Sequence, residues 1–321
     1  MPLALLDPAI LFFVLGLSAG LVRSTLEIPP AIVRLLTLYL LMSVGLKGGF
    51  TLAQTGLSTT AMIALAAALF MAFLVPLVAY GLFRMATTGL QASALAATYG
   101  SVSVVTYLAA IQHLDRNGIS FDGAMTAALV IMEIPAILVG IALARRTTAP
   151  SASPHSQEHS ALGLFVHGLR DGAPFLLMGS LVIGWITGEH GKAMMEPFSS
   201  NLFKGMLSLF LLQMGIDVAA RLKELKGTSM MLVALAVVVP LLGAGIALIL
   251  AWLLDLTAGD AALLMVLSAS ASYIVAPAVL RQVLPAANPA LYVGLSLGVT
   301  FPFNLLVGIG LYAWLALRLL G

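Results

Sequence analysis

The chain has no cysteine, which removes disulfides, thiolate metal sites and cysteine nucleophiles at once. Charge is scarce too: Asp, Glu, Lys and Arg make up 9% of 321 residues, where a soluble domain carries about 25%. With 61% hydrophobic residues, no soluble core of this length could hide the apolar surface, so a bilayer must solvate most of it. The few basic residues are scattered between apolar runs and form no stripe, which argues against a nucleic-acid partner. There is no GxxxxGK[ST] phosphate loop, no HExxH and no intramembrane histidine to serve a serine nucleophile. These absences speak against a fused ATPase, an intramembrane enzyme and any bound organic cofactor.

What is present is a series of apolar runs near the length a helix needs to cross hydrocarbon. The expected spans are Pro8–Val22, Ile32–Lys47, Ser58–Phe83, Gln91–Ile111, Gly123–Ala144, Ala173–Gly188, Leu202–Ala219, Ser229–Leu254, Gly259–Gln282 and Leu291–Leu317. Together they predict an all-α integral membrane protein of ten transmembrane helices. The polar stretch 145–172 is the one candidate linker, separating a first five-helix repeat (1–144) from a second (173–321). His155 and His159 lie four apart in it without a third ligand nearby, a poor metal site. With the N-terminus outside, ten Lys and Arg fall on the inner side (Arg23, Arg34, Arg84, Arg145, Arg146, Arg170, Arg221, Lys223, Lys226, Arg281) and five outside (Lys47, Arg116, Lys192, Lys204, Arg318). That bias predicts a multi-pass protein with outside termini and a cytoplasmic linker.

The halves repeat at a nearly fixed offset. Gly16 and Gly20 recur as Gly184 and Gly188, Gly45-Leu46-Lys47 as Gly215-Ile216-Asp217, Ser101-Val102-Ser103 as Ser270-Ala271-Ser272, and Leu138-Val139-Gly140-Ile141 as Leu306-Val307-Gly308-Ile309. Five spans per half is an odd number, so the second half enters from the opposite side. The expected fold is a 5+5 inverted repeat of the kind secondary transporters use.

Spans 4 and 9 are poor lipid-facing helices. Residues 97–107 read ATYGSVSVVTY and residues 267–277 read LSASASYIVAP, with small residues and hydroxyls at mid-span. Such sequences break helices, and a broken helix at membrane depth must line a cavity or be buried in protein. Two half-helix N-termini meeting at the centre form an anion site without a full cation, and the opposing C-termini offer carbonyls to a small hard cation. The expected substrate-binding residues are Tyr99, Gly100, Ser101, Val102, Ser103, Ala269, Ser270, Ala271 and Ser272, with Ser101 and Ser270 as the leading pair of hydroxyls. The bland alternative for each serine is a bond to its own preceding turn. Glu133, two residues before Pro135, is the acid well inside a span of the first half, costly unless functional. With Thr106, Ser268 and Asn304 it forms the expected sodium-binding or coupling set, although Glu133 also suits proton coupling or a buried packing role. Asn304 suits either a sodium ligand or an interhelical hydrogen bond. Lys47 and Asp217 read as interfacial. The glycine pairs Gly16/Gly20, Gly45/Gly49, Gly184/Gly188 and Gly294/Gly298 read as close helix packing.

Segments 26–49 (LEIPPAIVRLLTLYLLMSVGLKGG), 94–110 (ALAATYGSVSVVTYLAA), 132–143 (MEIPAILVGIAL), 268–285 (SASASYIVAPAVLRQVLP) and 291–312 (LYVGLSLGVTFPFNLLVGIGLY) resemble the sodium-dependent bicarbonate transporters of the SbtA type. The resemblance implies a homotrimer in the bacterial inner membrane that imports bicarbonate with Na+ by alternating access, and a PII-like cytoplasmic regulator. It implies a gate domain of helices 1, 2, 6 and 7 and a core domain of helices 3–5 and 8–10, with bicarbonate held where broken helices 4 and 9 cross. The same architecture carrying another small anion, or coupled to protons through Glu133, is the alternative. An anion channel fits less well, because no selectivity-filter motif occurs.

Overall fold

The structure, a computed structural model, describes residues 7–56, 58–147 and 172–321. Most of the 145–172 linker, with His155 and His159, lies outside the described residues. The chain is helical throughout, with no strand among the described residues. In order come α1 (Pro8–Leu21), α2 (Pro30–Thr55), α3 (Thr59–Arg84), α4 (Gly89–Gly100), α5 (Val104–Arg116) and α6 (Ala124–Thr147). The second half holds α7 (Gly172–Glu196), α8 (Leu202–Glu224), α9 (Met230–Leu253), α10 (Ala258–Ala269) and α11 (Val275–Val283). It closes with the long α12 (Pro289–Leu320), which is π-helical over Ser296–Thr300 and Asn304–Gly308.

Local chemistry sets the boundaries. Proline opens α1 and α2 at positions where its missing N–H is no loss. Side-chain oxygens of Asp7, Ser58, Thr88, Thr257 and Asn288 accept from the first-turn amides of α1, α3, α4, α10 and α12. Among the described residues, seven segments are long and apolar enough to span a membrane, while α1 and α10 are apolar but shorter. The difference from ten spans is partly one of continuity. Residues 174–224 form one unbroken 51-residue path. The helix expected to stop at Gly188 instead turns there, at φ 53° and ψ −137°, a conformation open to glycine at little cost. It then runs on through the π-helical turn Pro197–Asn201 into α8.

Packing sorts the helices into two groups. α1 lies along α8 and α2 along α7, whereas α3, α4 and α6 pack on one another and α9 and α10 pair, with α12 against α10. The glycines explain the first two pairs. A Cβ on Gly16 would sit 2.8 Å from the Leu212 carbonyl carbon, and one on Gly215 2.5 Å from the Leu17 nitrogen, so α1 and α8 touch backbone to backbone. α2 and α7 meet the same way, with a Gly45 Cβ 2.7 Å from Ser180 Cβ and a Gly184 Cβ 2.5 Å from the Leu46 carbonyl oxygen. Gly294 and Gly298 instead accept the Leu225 side chain that follows α8.

Ties between loops mark the two ends of the bundle. At one end Asp260 Oδ1 accepts from Asp122 N (2.7 Å), and Asp7 and Lys47 pair with Arg116 and Asp115. At the other, Gln91 Oε1 accepts from Asn288 N (3.0 Å) and Lys223 reaches the Gly20 carbonyl (3.3 Å).

Candidate functional site

Each of the two hydroxyl-rich segments interrupts its helix. α4 ends at Gly100, and Ser101 follows at φ −79°, ψ 164°. α10 ends at Ala269, and Ser270 follows at φ −82°, ψ 164°. After three residues in one case and five in the other, α5 and α11 resume. Glycine at position 100 is required by contact, since a Cβ there would lie 2.6 Å from the Pro76 ring. The interruptions are joined to each other: Ser103 N donates to Ser270 Oγ (3.0 Å) and Ser272 N donates to the Thr98 carbonyl (2.9 Å). Unwound backbone inside a membrane protein leaves amides and carbonyls that must find partners, and here each segment supplies them to the other.

The restarting helices are capped by serine. Ser103 Oγ accepts from Thr106 N (3.2 Å) and Thr106 Oγ1 (2.9 Å), and Ser272 Oγ accepts from Ala276 N (3.1 Å). A serine that accepts in this way still has its own proton to donate. Both serines line one cleft, together with Val102, Glu133, Tyr273, Ile274 and Val275. Its opposite wall is Thr37, Leu40 and Leu41 of α2 and Phe210 of α8.

Not every expected site residue faces this cleft. Tyr99 points away, giving its hydroxyl to Thr300 Oγ1 (2.8 Å), whose own proton goes to the Ala236 carbonyl (2.6 Å). Ser270 spends its hydroxyl on the Leu267 carbonyl (2.9 Å) while receiving Ser103 N. Gly100, Ala269 and Ala271 are buried backbone positions beside the interruptions and do not line the cleft. Asn304 is engaged at both ends of its amide, donating to the Ala269 carbonyl (2.7 Å) and accepting from Tyr312 (3.0 Å). Ser101 Oγ and Ser268 Oγ are buried without a hydrogen-bond partner among the described residues. Glu133 is buried, 5% exposed, and reaches the cleft wall.

Thr37, Leu41, Phe210 and Tyr273 were missed by the sequence reading. Tyr273 directly follows the serine run and extending that motif finds it. The other three come from helices whose register toward the cleft depends on the α1–α8 and α2–α7 contacts, which no local pattern encodes.

Two further voids lie toward the ends of the bundle. Glu27, Ile28, Pro30, Val33, Arg34 and Gln213 line one, which shares Thr37 with the central cleft. The other, lined by Lys47, Gln54, Asp115, Lys192, Glu196 and Ser200 among others, shares no residue with it.

The family model of the Na+-dependent bicarbonate transporter superfamily matches residues 8–317. A search of curated proteins finds no match.

Proposed function

Because the chain belongs to the Na+-dependent bicarbonate transporter superfamily, we propose that it is a Na+–bicarbonate symporter working by alternating access, with the anion held between the interruptions of α4–α5 and α10–α11. The observation that carries this reading is the pair Ser103 and Ser272, each capping a half-helix and each lining the same cleft. Bicarbonate is a small monoanion that accepts several hydrogen bonds and donates one. Serine hydroxyls and half-helix N-termini serve it without a fixed lysine or arginine, whose charge would slow release. None of the residues lining the cleft is basic.

Sodium falls to the opposite helix ends. The unpartnered hydroxyl oxygens of Ser101 and Ser268, near the C-termini of α4 and α10, are hard neutral donors. Asn304 holds the Ala269 carbonyl and so positions that terminus. Glu133 supplies a carboxyl group at the cleft wall. A cation and an anion bound together offset each other's desolvation, which favours movement of the fully loaded form.

The repeat is inverted in this reading, with ten crossings. The closely packed α1, α2, α7 and α8 form the gate, and α3–α6 with α9–α12 form the core. Support comes from ties that recur at opposite ends: Gln91 to Asn288 N and Asp260 to Asp122 N. Thr37 borders both the central cleft and the void at the arginine-rich end, while ion pairs join core and gate at the other. With that arginine-rich end in the cytoplasm of a bacterial inner membrane, this is an inward-facing state.

Labelled bicarbonate uptake into proteoliposomes tests the function. Uptake is expected to saturate and to require inward Na+, and uptake that ignores Na+ overturns the symport. Glu133→Gln replaces the cleft's ionisable carboxyl with an amide of the same shape. It is expected to raise the Na+ concentration for half-maximal uptake about tenfold, the scale of one charge-assisted contact. An unchanged Na+ activation curve assigns Glu133 to packing.

A further inference from the structure

The void at the ion-paired end is walled by the end of α2, the end of α5 and the turn between α7 and α8. We propose that it is a second, weaker binding site for a small monovalent oxyanion, in which Lys47 is the cation and Asp115 is the built-in carboxylate that the anion replaces. This rests on the transport reading above and adds to it the place where the anion waits before the central cleft opens.

The geometry suits exchange. Lys47 Nζ stands 3.3 Å from Asp115 Oδ2, longer than a strong charge-assisted bond, and the two side chains are 25% and 44% exposed. Ion pairs this exposed contribute little, so a millimolar anion competes with the carboxylate. Lys47 keeps its place when Asp115 leaves, because its ammonium also lies over the Phe203 ring, 5.0 Å from the centroid. The remaining charges around the void are Lys192 and Glu196 on its wall and Glu189, which lies 3.7 Å from Lys192 and also receives the Gln54 amide. One cation against two carboxylates leaves one net negative charge, so the site holds an anion weakly and briefly rather than trapping it. The position that matches Lys47 in the second half is Asp217, which hydrogen-bonds Gln213 near the opposite end, so the feature belongs to one end alone.

Exchange has a mechanical consequence. Asp115 and Arg116 end α5, and they tie it to Lys47 of α2 and to Asp7, the N-cap of α1. An anion on Lys47 frees one of the two ion pairs that join core and gate among the described residues. Arrival of substrate thereby loosens the closure that separates it from the central cleft.

The test compares variants that a purely structural pair would affect alike. In Na+-driven uptake, Asp115→Asn is expected to lower the KM for bicarbonate about threefold by releasing Lys47. Lys47→Met is expected to raise it about tenfold, and the double variant should follow Lys47→Met. Shifts of both single variants in the same direction overturn the proposal, as does a change in Na+ dependence on Asp115→Asn, which marks a cation site instead. A second readout needs no transport. Ser200→Cys introduces the sole thiol of the chain into this void. Its labelling by an anionic methanethiosulfonate should be slowed by bicarbonate, and this protection should vanish with Lys47→Met. Protection that persists in Lys47→Met overturns the site. If the wild-type protein transports no bicarbonate yet shows Lys47-dependent protection, the transport reading fails and the site stands.

Discussion

Replacing Ser103 and Ser272 together by alanine is expected to abolish Na+-driven bicarbonate uptake while the protein still inserts and purifies as a folded species. The two hydroxyls face one cleft from two half-helices, and hydrogen bonds to a charged ligand contribute roughly 1.5–3 kcal/mol each. Losing both weakens anion binding by at least about a hundredfold. The folding penalty is smaller. Ser103 is also the N-cap of α5, and Ser272 accepts from the first-turn Ala276 amide of α11; an N-cap Ser→Ala change costs about 1 kcal/mol. Transport and thermal stability should therefore separate: uptake lost, melting temperature lowered by only a few degrees. Ser101→Ala with Ser268→Ala makes the informative contrast. Neither hydroxyl has a hydrogen-bond partner among the described residues, so stability should hold, while the Na+ requirement should shift. Uptake at wild-type rate in Ser103→Ala/Ser272→Ala means that the anion is not held between these interruptions.

The choice of Ser103 and Ser272 over Ser101 and Ser270 shows where sequence reading stops. Hydroxyls and small residues at mid-span announce that α4–α5 and α10–α11 are broken, because they weaken a helix wherever they occur. The announcement is local, and the structure agrees with it: interruptions follow Gly100 and Ala269. Which hydroxyl faces the cleft is not local. Ser270 is consumed by the opposite segment and by its own turn, and Tyr99 by a threonine 201 positions away. Asn304 suits either a sodium ligand or an interhelical hydrogen bond in sequence, and its amide is bonded at both ends. The glycine pairs of α1, α2 and α7 were legible as packing surfaces because a missing Cβ has few other uses on a membrane helix. Their partners were not legible, since nothing in a Gly-x-x-x-Gly spacing names the helix opposite. The course of residues 174–224 was obscured for a related reason: Gly188 looks like a terminator and acts as a bend.

The division between the two groups of helices leads to the other large effect. Leu41 on α2 and Leu108 on α5 line the same cleft from opposite groups, so any cycle in which the core slides or rocks against the gate must change their separation. The native chain has no thiol, and cysteines placed at these two positions are the only targets for a short bifunctional thiol reagent. Cross-linking Leu41→Cys to Leu108→Cys is expected to stop uptake, and cleavage of a disulfide-containing linker to restore it. The control pair is Tyr39→Cys with Phe198→Cys. Their rings meet at 4.6 Å within the group of α1, α2, α7 and α8, and the same reagent should leave transport at the rate of the unlinked double variant. A channel predicts otherwise, because conduction through a pore between rigid bodies tolerates a tether that does not fill it. The kinetic signature separates the cases further. Rigid-body exchange between two states occurs on microsecond-to-second timescales, and a linker that spans only one of those states removes the whole cycle. Full uptake through a cross-linked Leu41–Leu108 pair therefore excludes movement of the core against the gate, and leaves local rearrangement of the segments around Ser103 and Ser272 as the means of exposing the anion to each side in turn.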